Sequence, residues 1–248
     1  MFKKLALALA VAAALPASAL TTGDIAFTTF NADEDGFAMV ALADVAANTK
    51  VYFSDNEWSG TAFNTGESFA SWLSGAAVVN AGTVIRFSKT DSATLLAASV
   101  GTLARETVAS SANWGLSQSA DTLYAYLGST ALAPTTFLAA ISSGTFGNAA
   151  DGTLINTGLS IGAGAVQLQA GSDYAQYSGS RAGQVSFAGY KALVSNVAQW
   201  TDSGDGSFAT AVPNTTAFSV TVVPEPESYA LMLAGLGAIG LLVARRRG

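Results

Sequence analysis

The 248-residue chain contains no histidine and no cysteine. That removes imidazole acid–base catalysis, the Ser-His-Asp triad, imidazole-ligated zinc, thiol nucleophiles and thiolate metal sites. What survives is carboxylate chemistry, in the form of a pair of acids or of oxygen ligands around a hard cation. Asn31, Asp33, Asp35 and Gly36 reproduce the first half of an EF-hand loop, in which alternate oxygens face a Ca²⁺ and glycine allows the sharp turn. The twelfth position, where a bidentate glutamate belongs, is Leu42, inside an apolar run that begins at Phe37. An EF-hand is therefore excluded. A looser Ca²⁺ site remains a candidate, built from Asn31, Asp33 and Asp35 with Asp55 and Glu57, or from Asp202 and Asp205 in Asp202-Ser203-Gly204-Asp205-Gly206. The competing reading is a solvated turn, because Asn, Asp and Gly are also the usual turn formers. The turn is favoured, so no cofactor is expected beyond that candidate Ca²⁺.

Glycoside hydrolysis needs two carboxyls about 5 to 9.5 Å apart across a cleft. Asp55, Glu57, Glu67 and Glu106 are the candidates, and their spacing in sequence does not pair them. No catalytic residue is assigned and no enzyme is expected. Trp58, Phe63, Trp72, Trp114, Tyr124, Tyr126, Tyr174, Tyr177 and Trp200 could include a sugar-stacking platform. Such rings more often fill a sandwich interior, which is the expectation here.

The elements that must position these groups have a period of two. Ile25, Phe27 and Thr29 alternate with Ala26 and Thr28, Phe37, Met39 and Ala41 with Ala38 and Val40, and Val51 and Phe53 with Tyr52 and Ser54. Further strands are expected over residues 83–87, 122–127, 136–141, 165–168, 174–177 and 218–223, separated by Gly, Asn, Asp and Ser. Short helices are expected near 68–73 and over 191–200, where Leu193, Val194, Val197 and Trp200 share a face. The fold class is all-β, an antiparallel β-sandwich with one or two short helices and a C-terminal hydrophobic helix.

Both ends read as addresses. Lys3 and Lys4, an apolar stretch over 5–15 and Ala17-Ser18-Ala19 form a secretory signal peptide over 1–19, with cleavage after Ala19. At the other end stand Pro224-Glu225-Pro226, an apolar run over 229–244 and then Arg245, Arg246 and Arg247. Sixteen helical residues span about 24 Å, short of the ~30 Å hydrocarbon core, so the run is marginal as a lasting anchor. Gly235-Leu236-Gly237-Ala238-Ile239-Gly240 spells a dinucleotide fingerprint, but the surrounding βαβ unit it requires is missing. The tail over 224–248 resembles the PEP-CTERM sorting signal of Gram-negative bacteria. The resemblance implies processing by an exosortase, transient residence in the inner membrane, and delivery to the cell surface or an exopolysaccharide matrix.

A second resemblance covers most of residues 23–220. Gly23-Asp24-Ile25-Ala26-Phe27, Asn31 through Ala38, Val51 through Trp58, Tyr177-Ser178-Gly179-Ser180-Arg181 and Asn196 through Thr201 resemble bacterial surface domains related to the lamin-tail, immunoglobulin-like sandwich. It implies a fold and carries over no catalytic residue. The body between the addresses, 20–223, is one domain with six basic residues against fifteen acidic, a formal charge of −9. Such a surface repels phosphate backbones, which argues against nucleic acid and leaves cations or neutral polysaccharide as easier partners. The function expected is a secreted structural or interaction protein of the envelope or extracellular matrix. A carbohydrate-binding module is the first alternative and a carboxylate-based glycan hydrolase the second.

Overall fold

The computed structural model describes residues 19–108, 111, 113–221 and 226–247. In chain order the strands are β1 (Ile25–Asn31), β2 (Gly36–Ala41), β3 (Lys50–Ser54), β4 (Phe69–Leu73), β5 (Val84–Ser88), β6 (Ala97–Ala98), β7 (Thr102–Arg105), β8 (Thr122–Thr130), β9 (Ala133–Ser142), β10 (Ser160–Ile161), β11 (Gly164–Gln167), β12 (Tyr174–Tyr177) and β13 (Trp200–Asp202). Helices are α1 (Tyr190–Ser195) and α2 (Pro226–Arg247). The strands form two sheets, ordered β13-β12-β1-β2-β5-β6 and β10-β11-β9-β8-β3-β4-β7. Most pairings are antiparallel, as expected. β11 runs parallel to both β9 and β10, so the second sheet is mixed.

The apolar patterning explains this architecture. Phe27, Phe37 and Phe87 on the first sheet meet Val51, Phe53, Trp72, Leu123 and Ala125 on the second in one continuous core. The opposite face of the second sheet is also dry. Tyr52, Phe69, Tyr124, Tyr126 and Phe137 form a second cluster there, roofed by Trp58, Phe63 and Leu159 from the connections before β4 and β10. Val51-Tyr52-Phe53 therefore alternates between two cores rather than between core and water, which is why both phases of the pattern are hydrophobic.

Three expected elements differ. Where a helix was expected near 68–73, Phe69–Leu73 form strand β4, because Trp72 must face the inter-sheet core while Phe69 faces the second cluster, and only a period of two places them so. The helix expected over 191–200 is shorter: α1 ends at Ser195, a 3-10 turn covers Val197–Gln199, and Trp200 already belongs to β13. Over 218–221 the chain makes only one isolated bridge, Val220 to Gln184, in place of the expected strand, and 222 and 223 lie outside the described residues. Phe218 still anchors it, buried and stacked on Tyr177 with Tyr190 edge-on.

One turn leaves no room for a side chain. At Gly101, φ is +74° and a Cβ would lie 2.2 Å from the Leu73 carbonyl oxygen and 2.6 Å from Trp72 Nε1. Gly101→Ala is expected to destabilise by more than about 1 kcal/mol, read by chemical denaturation, since both the backbone conformation and the close approach oppose it.

Candidate functional site

Two regions carry the residues that the sequence singled out: the acidic turns at one end of the sandwich, and the sorting tail. The turn between β1 and β2 is held by its own acids. Asn31 Oδ1 accepts from the Glu34 amide at 3.1 Å, and Asn31 Nδ2 donates to the Phe208 carbonyl at 3.0 Å. Asp33 Oδ1 accepts from Gln118 Nε2 and Oδ2 from the Phe208 amide, both at 2.5 Å. Asp35, at φ +53°, accepts the Leu116 amide at 2.8 Å, and burial together with the neighbouring Asp91 raises its carboxyl to about 6. The second candidate turn behaves alike. Asp202 accepts from the Ser172 hydroxyl and the Gly204 amide through Oδ1 and from the Gln169 amide through Oδ2, while Asp205 is exposed and has no hydrogen bond among the described residues.

The structure brings these two turns together, which spacing in sequence could not reveal. Phe208, three residues after Asp205, is the partner of both Asn31 and Asp33. Asp173 lies between the turns: its carbonyl accepts from the Ala32 amide, its amide donates to Gly204 O, and its Oδ2 accepts from the Gly206 amide at 2.9 Å. Nothing in the sequence marked Asp173. Among the described residues no group of three or more acidic side chains is arranged to hold a metal ion. Asp55 and Glu57 lie in the connection after β3 and share no hydrogen bond with either turn. Asp55 accepts from the Ser68 amide and hydroxyl, both at 2.7 Å, and Glu57 accepts from the Asn64 side chain.

A third acidic group comes together around Asp55. Asp55 and Asp121 are 2% and 8% exposed, and Asp121 accepts from the Ser117 amide at 2.7 Å. Burial raises the Asp55 carboxyl to about 7, with Glu67 adding to the rise against the Ser68 hydrogen bonds. Glu67 stands at about 7 through burial and the charge of Glu57. Asp121 is raised well above the carboxylate range by burial, Asp55 and Glu67. Glu106 is elsewhere, paired with Lys50 at 3.2 Å.

The aromatic residues are core. Trp58, Phe63, Trp72, Tyr124, Tyr126, Tyr174, Tyr177 and Trp200 are all buried. Trp114 is half-buried, with the Arg105 guanidinium 4.7 Å from its ring centre.

At the N-terminal address Ala17 lies outside the described residues, whereas Ala19 is exposed and Leu20 already enters the core. At the C-terminal address the lead-in is tied down, with the Ser219 amide bonded to Arg181 O and the Thr221 amide to Gln184 O, each at 2.8 Å. Pro224 and Glu225 lie outside the described residues, and Pro226 is the first residue of α2. Proline suits that position, because the first turn has no use for its missing amide. The helix runs 22 residues to Arg247, past the apolar run at both ends, with Leu231, Met232, Leu233, Leu236, Ile239 and Val243 exposed. Arg245, Arg246 and Arg247 occupy its last turn, where cations complement the helix dipole. Among the described residues no helix is long and apolar enough to cross a membrane.

The body is thus an all-β sandwich followed by a proline-initiated, apolar, arginine-ended helix. The family model for the PEP-CTERM protein-sorting motif matches residues 222–247. No curated protein and no solved structure matches the chain. The chain carries the PEP-CTERM signal and is thereby a secreted, exosortase-sorted surface protein of the Gram-negative type.

Proposed function

We propose that the protein is a noncatalytic structural or interaction component of the cell envelope or exopolysaccharide matrix. The sorting match at 222–247 carries this reading. It is supported by a body in which all but one of the aromatic residues singled out above are buried and in which the Asp55 and Asp121 carboxyls are only 2% and 8% exposed. In this reading the exposed apolar side chains of α2 hold the chain briefly in the inner membrane, with the arginines on the cytoplasmic side, until an exosortase acts. Deleting residues 224–248 is expected to abolish surface labelling of intact cells while export proceeds. Unchanged labelling would remove the sorting role. A second reading is favoured by Trp114, the tryptophan that is not buried: a weak carbohydrate-binding module, with the ring as its stacking platform. A glycan array and a reducing-sugar release assay on the full-length chain separate these readings from hydrolysis. Silence in both supports the structural role, binding lost in Trp114→Ala supports the module, and release of sugar overturns the noncatalytic assignment.

A further inference from the structure

The stretch of chain that leads into the sorting motif is tied to the body over residues 214–221. The Asn214 amide donates to Gln176 Oε1 at 3.3 Å, Arg181 Nη1 to the Thr216 carbonyl and the Phe218 amide to the Gly82 carbonyl, the last two at 2.8 Å. The Ser219 carbonyl accepts from Tyr190 Oη at 2.6 Å, and the Ser219 and Thr221 amides hold Arg181 O and Gln184 O. Of these eight residues only Phe218 is buried. Its ring stacks on Tyr177 at 5.7 Å, meets Tyr190 edge-on at 5.0 Å and has the Arg181 guanidinium 5.0 Å from its centre. A segment held by one buried side chain and by hydrogen bonds near the surface belongs to the low-stability end of a fold, where local opening is frequent.

This docking limits how far the motif reaches. An extended chain advances about 3.4 Å per residue, so Pro224, three residues past Thr221, stays within about 10 Å of the docked segment. A body of roughly 200 residues has a radius of gyration of about 16 Å and crowds a motif held that close. Releasing 214–221 while Pro213, itself buried, stays anchored lets Pro224 move out to about 37 Å. We propose that segment 214–221 is a releasable strap that controls exosortase access to Pro224-Glu225-Pro226, with Phe218 as its plug. With Phe218 seated, the motif is held against the body; with Phe218 out, it is presented on a tether long enough for an enzyme acting at the membrane. A substrate competent in only a fraction of molecules is processed in proportion to that fraction, so loosening the strap speeds processing. The strap rests on the sorting reading above and adds to it the step that limits it.

The test follows processing of the full-length chain in the exporting host by pulse-chase and immunoblot. Phe218→Ala should raise the processing rate several-fold. Gln184→Cys combined with Val220→Cys joins two residues paired in a β-bridge, a separation that suits a disulfide, in a chain with no other cysteine. The oxidised pair should slow processing several-fold, and reductant should restore the parent rate. Inserting about six Gly and Ser residues between Thr221 and Val222 adds about 20 Å of reach and leaves the strap's own bonds in place, so this variant serves even where Phe218→Ala does not fold. It should speed processing several-fold and erase the effect of the disulfide. A processed parent whose rate is matched by the oxidised pair, or by the lengthened chain, would overturn the strap and leave sorting intact. A parent that is not processed at all overturns both.

Discussion

Phe37→Ala is expected to lower unfolding stability by about 3–5 kcal/mol, the usual cost of deleting a fully packed aromatic ring. Phe37 projects from β2 on the first sheet. Its ring is 4.7 Å from Phe87 of β5, 5.8 Å from Phe27 of β1, and 4.9 Å from Phe53 of β3 on the second sheet. The side chain is thus the joint between the sheets. Without a disulfide, the sandwich is held together by such packing, and a typical domain has only about 5–15 kcal/mol in total. Phe37→Leu keeps most of the volume and should cost clearly less. Truncating exposed Leu95, at 64% exposure, should change stability by no more than about 0.5 kcal/mol. Urea unfolding would show the midpoint falling for Phe37→Ala with an unchanged slope. A loss no larger than that of Leu95→Ala would mean that the ring cluster does not join the sheets.

That core was legible where aromatic and β-branched residues alternate without interruption. β1, β2, β3, β8 and β9 were foreseen from their period, because each strand carries enough large apolar residues to declare it. β4 was not, since Phe69, Trp72 and Leu73 also stand three and four apart, and the sequence does not say that a second dry face waits for Phe69. That face exists because Trp58 and Phe63 fold back over the second sheet, a tertiary event with no local signature. The parallel pairing of β11 with β9 was hidden for the same reason: Ala165 and Val166 specify a strand and not its neighbour. The sorting tail was fully legible, because its meaning lies in the order of residue types along the chain. The acidic turns were legible as turns. Their convergence through Phe208, and the placement of Asp173 between them, depend on contacts between residues 31 to 177 positions apart.

A separate convergence, of Asp55, Glu67 and Asp121, sets the response to pH. Stability is expected to fall as pH rises from about 4 to about 8, with the melting temperature several degrees higher at about pH 5 than at about pH 8. Asp55 and Glu67 stand at about 7 in the folded chain and Asp121 well above its ordinary value, through burial first and then mutual repulsion. In the unfolded chain these groups titrate near 4. Between the two values the folded state holds protons that the unfolded state has released, so stability is complete below about pH 4 and is lost as pH climbs through about 7. Each unit of difference is about 1.4 kcal/mol, which makes the buried Asp55 carboxyl worth a few kcal/mol, with a smaller share from Glu67, whose charge solvent partly screens. Asp35, raised to about 6, acts in the same direction. Asp24 opposes it only in acid: burial raises its carboxyl, but the Lys191 and Thr21 hydrogen bonds outweigh that and hold it below the usual value, so its contribution is lost as pH falls below about 4. Asp55→Asn keeps an acceptor for Ser68 and removes the buried charge. It should therefore raise the melting temperature at about pH 8, leave it little changed at about pH 5, and flatten the profile between. A parent profile that is flat or rises with pH over this range would show that the Asp55 and Asp121 carboxyls do not carry these protons.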